Sequence, residues 1–199
     1  MLHYSTVDSS TLELLKRLQQ LPSLQDTRLV GGTALALRLG HRKSVDLDLF
    51  GNISVGTDVL VEELKCLGNL ITLKESKNIH IYSLNNVKVD VVNYAYTWQD
   101  EQFCEDGLRL AGLKDIAAMK IAAITGRGSK KDFIDIYFLS KIYSLQEMLS
   151  CYLAKYSEGS EFMALKSLIY FEDAEPEPCP YMLEKVTWEQ VKEAICLLL

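Results

Sequence analysis

No stretch of the 199-residue chain approaches the roughly 18 consecutive apolar residues that a membrane-spanning helix requires. The opening residues, MLHYSTVDSS, carry neither the basic segment nor the apolar run of a secretion signal. A cytoplasmic location is expected, and the Asn52-Ile53-Ser54 glycosylation sequon then has no meaning. The five cysteines (Cys66, Cys104, Cys151, Cys179 and Cys196) are odd in number, widely spaced and never form CxxC. That excludes a disulfide framework and a zinc knuckle, so all five read as buried or incidental thiols. Two phosphate-binding signatures are missing. The GxxxxGK[ST] spacing is found neither around Gly31 nor at GRGSKK (126–131), and GxGxxG does not occur. Positive charge is also in deficit, with 21 Lys and Arg against 27 Asp and Glu and a net charge of −6. Such a molecule repels a polyanion as a whole, which excludes broad DNA coating. Any nucleic-acid contact must be local, at Arg38, His41, Arg42 and Lys43 or at Arg127, Lys130 and Lys131. Each cluster taken alone equally suits solvated surface.

What is present suits one globular unit or two small lobes sharing a core: 48% of residues are hydrophobic and 24% charged. Residues 9–21 place Leu12, Leu15 and Leu18 at helical spacing, closed by Pro22. Residues 26–30 read as a strand entering Gly31-Gly32, and 33–39 as a short helix stopped by Gly40. Val45, Leu47 and Leu49 alternate with Ser44, Asp46 and Asp48, the period of a half-buried strand. A helix is expected over 57–67, then strands at 70–75, 78–84 and 87–94, the last two joined by a hairpin at Asn85-Asn86. The expected sheet is mixed, with about five strands. From about residue 110 the segments are helix-like, ending in a helix with Trp188 and Ile195 on its apolar side. Between them lies the proline-broken acidic loop 172–180. No internal repeat or low-complexity tract interrupts the chain.

The chemistry concentrates in residues 31–50, GGTALALRLGHRKSVDLDLF. Asp46 and Asp48 project from one strand face with Cα atoms about 6 to 7 Å apart, close enough to converge on one hard divalent cation. Without such a cation the two carboxylates repel and one pKa rises. Taken alone, DLDLF better suits an exposed edge strand whose aspartates discourage further pairing. The glycines change that balance: a turn without side chains lets backbone N–H groups approach a phosphate, at the positive end of the following helix. Arg42 and Lys43 precede the acidic strand and are placed to neutralise phosphate oxygens, so the twenty residues describe a metal-bridged triphosphate site. Asp90, in the alternating strand VKVDVVNY, supplies a third carboxylate for a two-metal mechanism if its strand neighbours the first; otherwise it is a solvated strand residue.

G-G-T followed by H-R-x-S-x-D-x-D resembles the AbiEii/AbiGii group of the DNA-polymerase-β-like nucleotidyltransferase superfamily, toxins of type IV toxin–antitoxin and abortive-infection systems. The resemblance continues through RLAGLKDIAAMKIAAITGRGSKKDFIDIYFL (109–139), YFEDAEPEPCPYML and Trp188, so it covers most of the chain. It implies an α+β fold: a polymerase-β-like mixed sheet with flanking helices over residues 1–108, and a C-terminal helical lobe over 109–199. The activity implied is Mg²⁺-dependent transfer of a nucleoside monophosphate from an NTP to an acceptor hydroxyl, in some similar proteins the 3′ end of tRNA. A cognate antitoxin is an implied partner. Carried over by position, Gly31, Gly32 and Thr33 hold phosphates with Ser44 beside them, and Asp46 and Asp48 bind metal. Lys120 contacts nucleotide phosphates, and Asp46, Asp48, Asp90 and Lys120 form the catalytic set. Asp132 and Asp135 match a KDxxD segment at the nucleotide. As an i, i+3 pair they share a helix face, either holding the lobe interface or facing solvent. Thr33 stands where many superfamily members have serine, and a hydroxyl is retained. Alternative readings are transfer to a protein or small molecule, and a non-catalytic relative that keeps the fold.

Overall fold

A computed structural model describes all 199 residues. Seven strands form one mixed sheet: β1 (Thr27–Val30), β2 (Leu47–Gly51), β3 (Leu70–Glu75), β4 (Ile79–Leu84), β5 (Val87–Asn93), β6 (Phe103–Glu105) and β7 (Leu108–Leu110), in the order β3-β4-β5-β2-β1-β7-β6. β2 runs parallel to β5 and β1 parallel to β7; every other pair is antiparallel. Seven strands replace the expected five because β6 and β7 are three residues long, too short for alternation to reveal. The helices are α1 (Ser9–Leu18), α2 (Gly31–Leu39), α3 (Thr57–Lys65), α4 (Leu113–Gly126), α5 (Lys130–Leu139), α6 (Leu145–Lys155), α7 (Glu161–Leu168) and α8 (Trp188–Cys196). None is long and apolar enough to cross a membrane.

Local chemistry explains the joints. Gly40 ends α2 at φ 75°, its N–H bonded to the Ala36 carbonyl, a left-handed position that a side chain would strain. Asn85 and Asn86 take φ 52° and 66°, the pair of positive values a two-residue hairpin demands. Ser144 and Thr187 cap α6 and α8 with reciprocal capping boxes.

Leu47 and Leu49 of β2 and Val89 and Val91 of β5 are fully buried on one sheet face, joined in a single apolar cluster by Leu15 and Leu18 of α1 and Leu60 and Leu64 of α3. Val45 departs from the expected alternation: it lies before the strand begins and is exposed. The helices after β7 extend the same cluster through Ile116, Phe133, Met148 and Val191. A buried pair ties this half to the sheet. Asp115 and Lys155 meet at 2.6 Å with no exposure, Asp115 accepts from the Gln99 and Asp100 backbone, and Lys155 donates to the Thr97 carbonyl. The cysteines are free, four exposed and Cys151 partly buried, so of the two expected readings they are incidental rather than buried thiols.

Candidate active site

β2 lies between β5 and β1, inside the sheet, so its aspartates are not edge-strand guards. The parallel register sets Asp48 directly opposite Asp90 and Leu47 opposite Val89. With Leu47 and Leu49 buried on the far side, period 2 turns Asp48 and Asp90 onto the other face. Asp46, just before β2, joins them in the lining of a cavity of about 300 Å³. None of its twelve lining residues is apolar, so it suits charged and strongly hydrated groups.

The turn from β1 into α2 closes the cavity opposite the carboxylates. Gly31 holds φ 69°, and a Cβ there would run into the Asp48 carboxylate; at Gly32 it would run into the Arg42 guanidinium. A side chain at either position would displace a cavity-lining group, and at Gly31 the positive φ disfavours one on backbone grounds as well. The first N–H groups of α2 have no intrahelical acceptor, and Gly31, Gly32 and Thr33 present this end of the helix to the cavity. Thr33 Oγ1 lies 2.8 Å from Ser44 Oγ and donates to the Asp46 carbonyl, fixing the strand entry against the helix.

Cations surround the hollow. Lys88 lies 2.6 Å from Asp90, and Lys131 lies 4.0 Å from Asp46. Arg42, Lys120 and Arg127 complete the basic lining. Behind them Asp135, fully buried, accepts from Arg42 Nε at 2.7 Å and Nη2 at 2.8 Å, from His41 at 2.8 Å, and pairs with Lys120 at 2.6 Å. Asp132 accepts from Lys120, Arg127 and Ser129. Burial raises the pKa of both carboxyls, but the surrounding cations, Lys120 foremost, more than offset it. Asp132 falls to about 2 and Asp135 well below the usual carboxylate range. Burial likewise lowers Lys120, and Asp135 and Asp132 reverse it, so the ammonium stays charged.

Asp48 is the exception. Burial, then the negative charges of Asp90 and Asp46, push its carboxyl up to about 6, with Lys88 and Lys120 only partly opposing. No hydrogen bond or ion pair reaches it, and the three carboxylates are not drawn into one closed cluster. An acid under this repulsion beside a second carboxylate fits a hard divalent cation, and Asp46 and Asp48 are the pair that would hold it.

Of the residues expected at the site, Gly31, Gly32, Thr33, Arg42, Ser44, Asp46, Asp48, Asp90 and Lys120 line the cavity. Asp132 and Asp135 do not; they stand behind it, buried, and position its cations. Lys43 does not reach it either: its ammonium pairs with Asp8 at 3.6 Å and its N–H bonds the Tyr181 carbonyl. The C-terminal segment thus clamps Arg42, whose backbone forms an isolated antiparallel bridge with Met182. Lys88 also lines the cavity; it carries no sequence signal of its own, although its place two residues before Asp90 puts it on the same strand face. A second compartment of about 420 Å³ adjoins the first, sharing Gly31, Asp48, Asp90, Lys120 and Arg127. Phe50, Met119, Ala122 and Tyr156 give it apolar walls.

An acidic strand pair facing a glycine turn on a mixed sheet, with helices closing over it, defines the nucleotidyltransferase class. The chain belongs to the AbiEii nucleotidyl transferase toxin family of type IV toxin–antitoxin systems, whose model matches residues 13–194. An uncharacterized protein of Aquifex aeolicus is 36% identical over 187 residues, covering 91% of this chain and 90% of the relative. Among solved structures, a candidate nucleotidyltransferase of Helicobacter pylori superposes with a TM-score of 0.62 at 18% identity, over 96% of this chain and 93% of that one. MenT4, a nucleotidyltransferase toxin of Mycobacterium tuberculosis, superposes with a TM-score of 0.60 at 16% identity, over 93% and 80%. At such identities the likeness is one of fold.

Proposed function

We propose that the protein transfers a nucleoside monophosphate from an NTP to a hydroxyl of an RNA acceptor, the 3′ end of tRNA being the favoured form, in a reaction that needs Mg²⁺. The observation that carries this reading is the in-register pair Asp48 and Asp90 facing the Gly31 turn across a wholly polar cavity. The triphosphate lies along the N-terminus of α2, where backbone N–H groups and Arg42, Arg127 and Lys131 neutralise its oxygens. The nucleoside extends into the neighbouring compartment, against Phe50, Met119 and Tyr156. Asp46 and Asp48 would hold Mg²⁺, which would supply positive charge against the phosphate oxygens and the pyrophosphate leaving group. Asp90 accepts the proton of the acceptor hydroxyl as its oxygen attacks the α-phosphorus and the bond to the β-phosphate oxygen breaks. Lys88 holds Asp90 through Oδ1 alone, which leaves Oδ2 to take the proton, and a phosphate oxygen of the incoming substrate offers the ammonium another partner.

Incubation with each α-labelled NTP, Mg²⁺ and total RNA tests the reading. Label is expected in RNA with the wild-type protein and absent with Asp46→Ala. Label transferred to protein or to a small acceptor, with none in RNA, would replace the acceptor assigned here. No transfer to anything would remove the activity.

A further inference from the structure

The cleft continues past the nucleoside compartment. Beyond Tyr156 and Ala122, which line both spaces, lies a third hollow of about 240 Å³ walled by Tyr96, Tyr152, Ser157, Glu158 and Gly159. Its rings are held in place. Tyr156 Oη lies 3.0 Å from Tyr94 Oη, and the Tyr156 ring meets Tyr96 edge-on at 4.9 Å and Tyr152 at 5.7 Å. A Cβ at Gly159 would come within 3.0 Å of the Tyr152 ring, so the glycine keeps the chain close against it. Tyr152 is buried, while Tyr96 is 47% exposed, which leaves a preset aromatic wall open to solvent.

The lining decides the class of ligand. No cation is among the seven lining residues, so a phosphate would find nothing to neutralise it. The Glu158 carboxylate repels phosphate and accepts from N–H donors. A flat, neutral heterocycle bearing an amino group satisfies both the rings and the carboxylate. Unpaired nucleobases are held in this way, by stacking on aromatic side chains and by hydrogen bonds to their edges, and a carboxylate accepts from an exocyclic amino group.

We propose that this hollow binds the unpaired terminal base of the acceptor RNA, with Tyr96 and Tyr156 as the stacking surface and Glu158 favouring a base that carries an amino group. The assignment rests on RNA being the acceptor. Tyr156 then separates the donor nucleoside from the acceptor base, and Asp90 lines the compartment on the donor side of that ring.

The test is fluorescence anisotropy without NTP. A short single-stranded oligoribonucleotide ending in adenosine is compared with the same strand whose 3′-terminal nucleotide is abasic. Tyr96→Ala is expected to weaken binding of the intact strand about tenfold, and Tyr96→Phe to restore it to within about twofold. Removing the base is expected to cost the wild-type protein about as much and to cost Tyr96→Ala nothing further. Equal affinity of the wild-type protein for intact and abasic strands, or no measurable binding of the intact strand, overturns the assignment while leaving transfer to RNA standing. A Tyr96→Ala defect confined to the KM for NTP places the donor base in the hollow and overturns it as well. Absence of labelled RNA in the transfer assay is a separate failure, that of the acceptor reading itself.

Discussion

Asp48 carries the conflict on which the site is built. Its carboxyl titrates near 6 in the fold against 3.8 in the unfolded chain, because burial and Asp90 disfavour its charge. Between those values the native state keeps a proton that the unfolded state has released, so this residue makes stability fall as pH rises from 3.8 to 6. Below 3.8 it contributes nothing, and above 6 the full penalty applies. Asp48→Asn is therefore expected to stabilise the metal-free protein at pH 7 by roughly 1–3 kcal/mol in urea unfolding, and to abolish transfer. Equal stabilisation at pH 3.5 and pH 7 would contradict this origin. Asp132 has the opposite sign. Held down to about 2 by Lys120 and Arg127, it lends stability that is present above 3.8 and lost as pH falls toward 2. Asp135→Ala leaves Lys120, Arg42 and His41 facing a buried void, and a loss of about 3–5 kcal/mol is expected by the same unfolding measurement.

At the scale of elements, the proposed function makes the β1–α2 turn the part that holds the nucleotide. Gly31→Ala requires a side chain at φ 69° and inside the space of the Asp48 carboxylate. It is expected to cost about 1–3 kcal/mol of stability and to remove NTP binding by calorimetry; retained binding would show that the turn does not approach the phosphates. Much of this element pattern is legible in the chain. Leu47 and Leu49 alternate with Asp46 and Asp48 because one face must be buried and the other left polar, and Asn85-Asn86 marks a hairpin because few residues accept two positive φ values. The pairing of β2 with β5, which brings Asp90 beside Asp48, is not local information; Asp90 could only be flagged conditionally. β6 and β7 leave no trace because three residues make barely one alternation. Asp132 and Asp135 share a face of α5 that reads as interface or as solvated, and only the folded chain shows them buried against Lys120 of α4 and, for Asp135, against His41 and Arg42 after α2. Lys88 escapes because a lysine in a strand looks like ordinary surface until its neighbour Asp90 is known to face a cavity.

At the scale of the whole molecule, a chain of net charge −6 gathers five cationic residues around one polar hollow. The acidic loop at Glu175 and Glu177 takes up Lys130 instead, so that part of the basic stretch 127–131 is turned inward. On the proposed reading, local rather than overall charge would draw a triphosphate in. The central claim is that Asp46 and Asp48 face the Gly31 turn so that a divalent cation joins them to a nucleotide. Isothermal titration with a non-hydrolysable NTP tests it most directly. Binding is expected with Mg²⁺, and to be largely lost both in EDTA and in Asp46→Asn with Mg²⁺ present. Equal affinity in all three conditions would contradict the account.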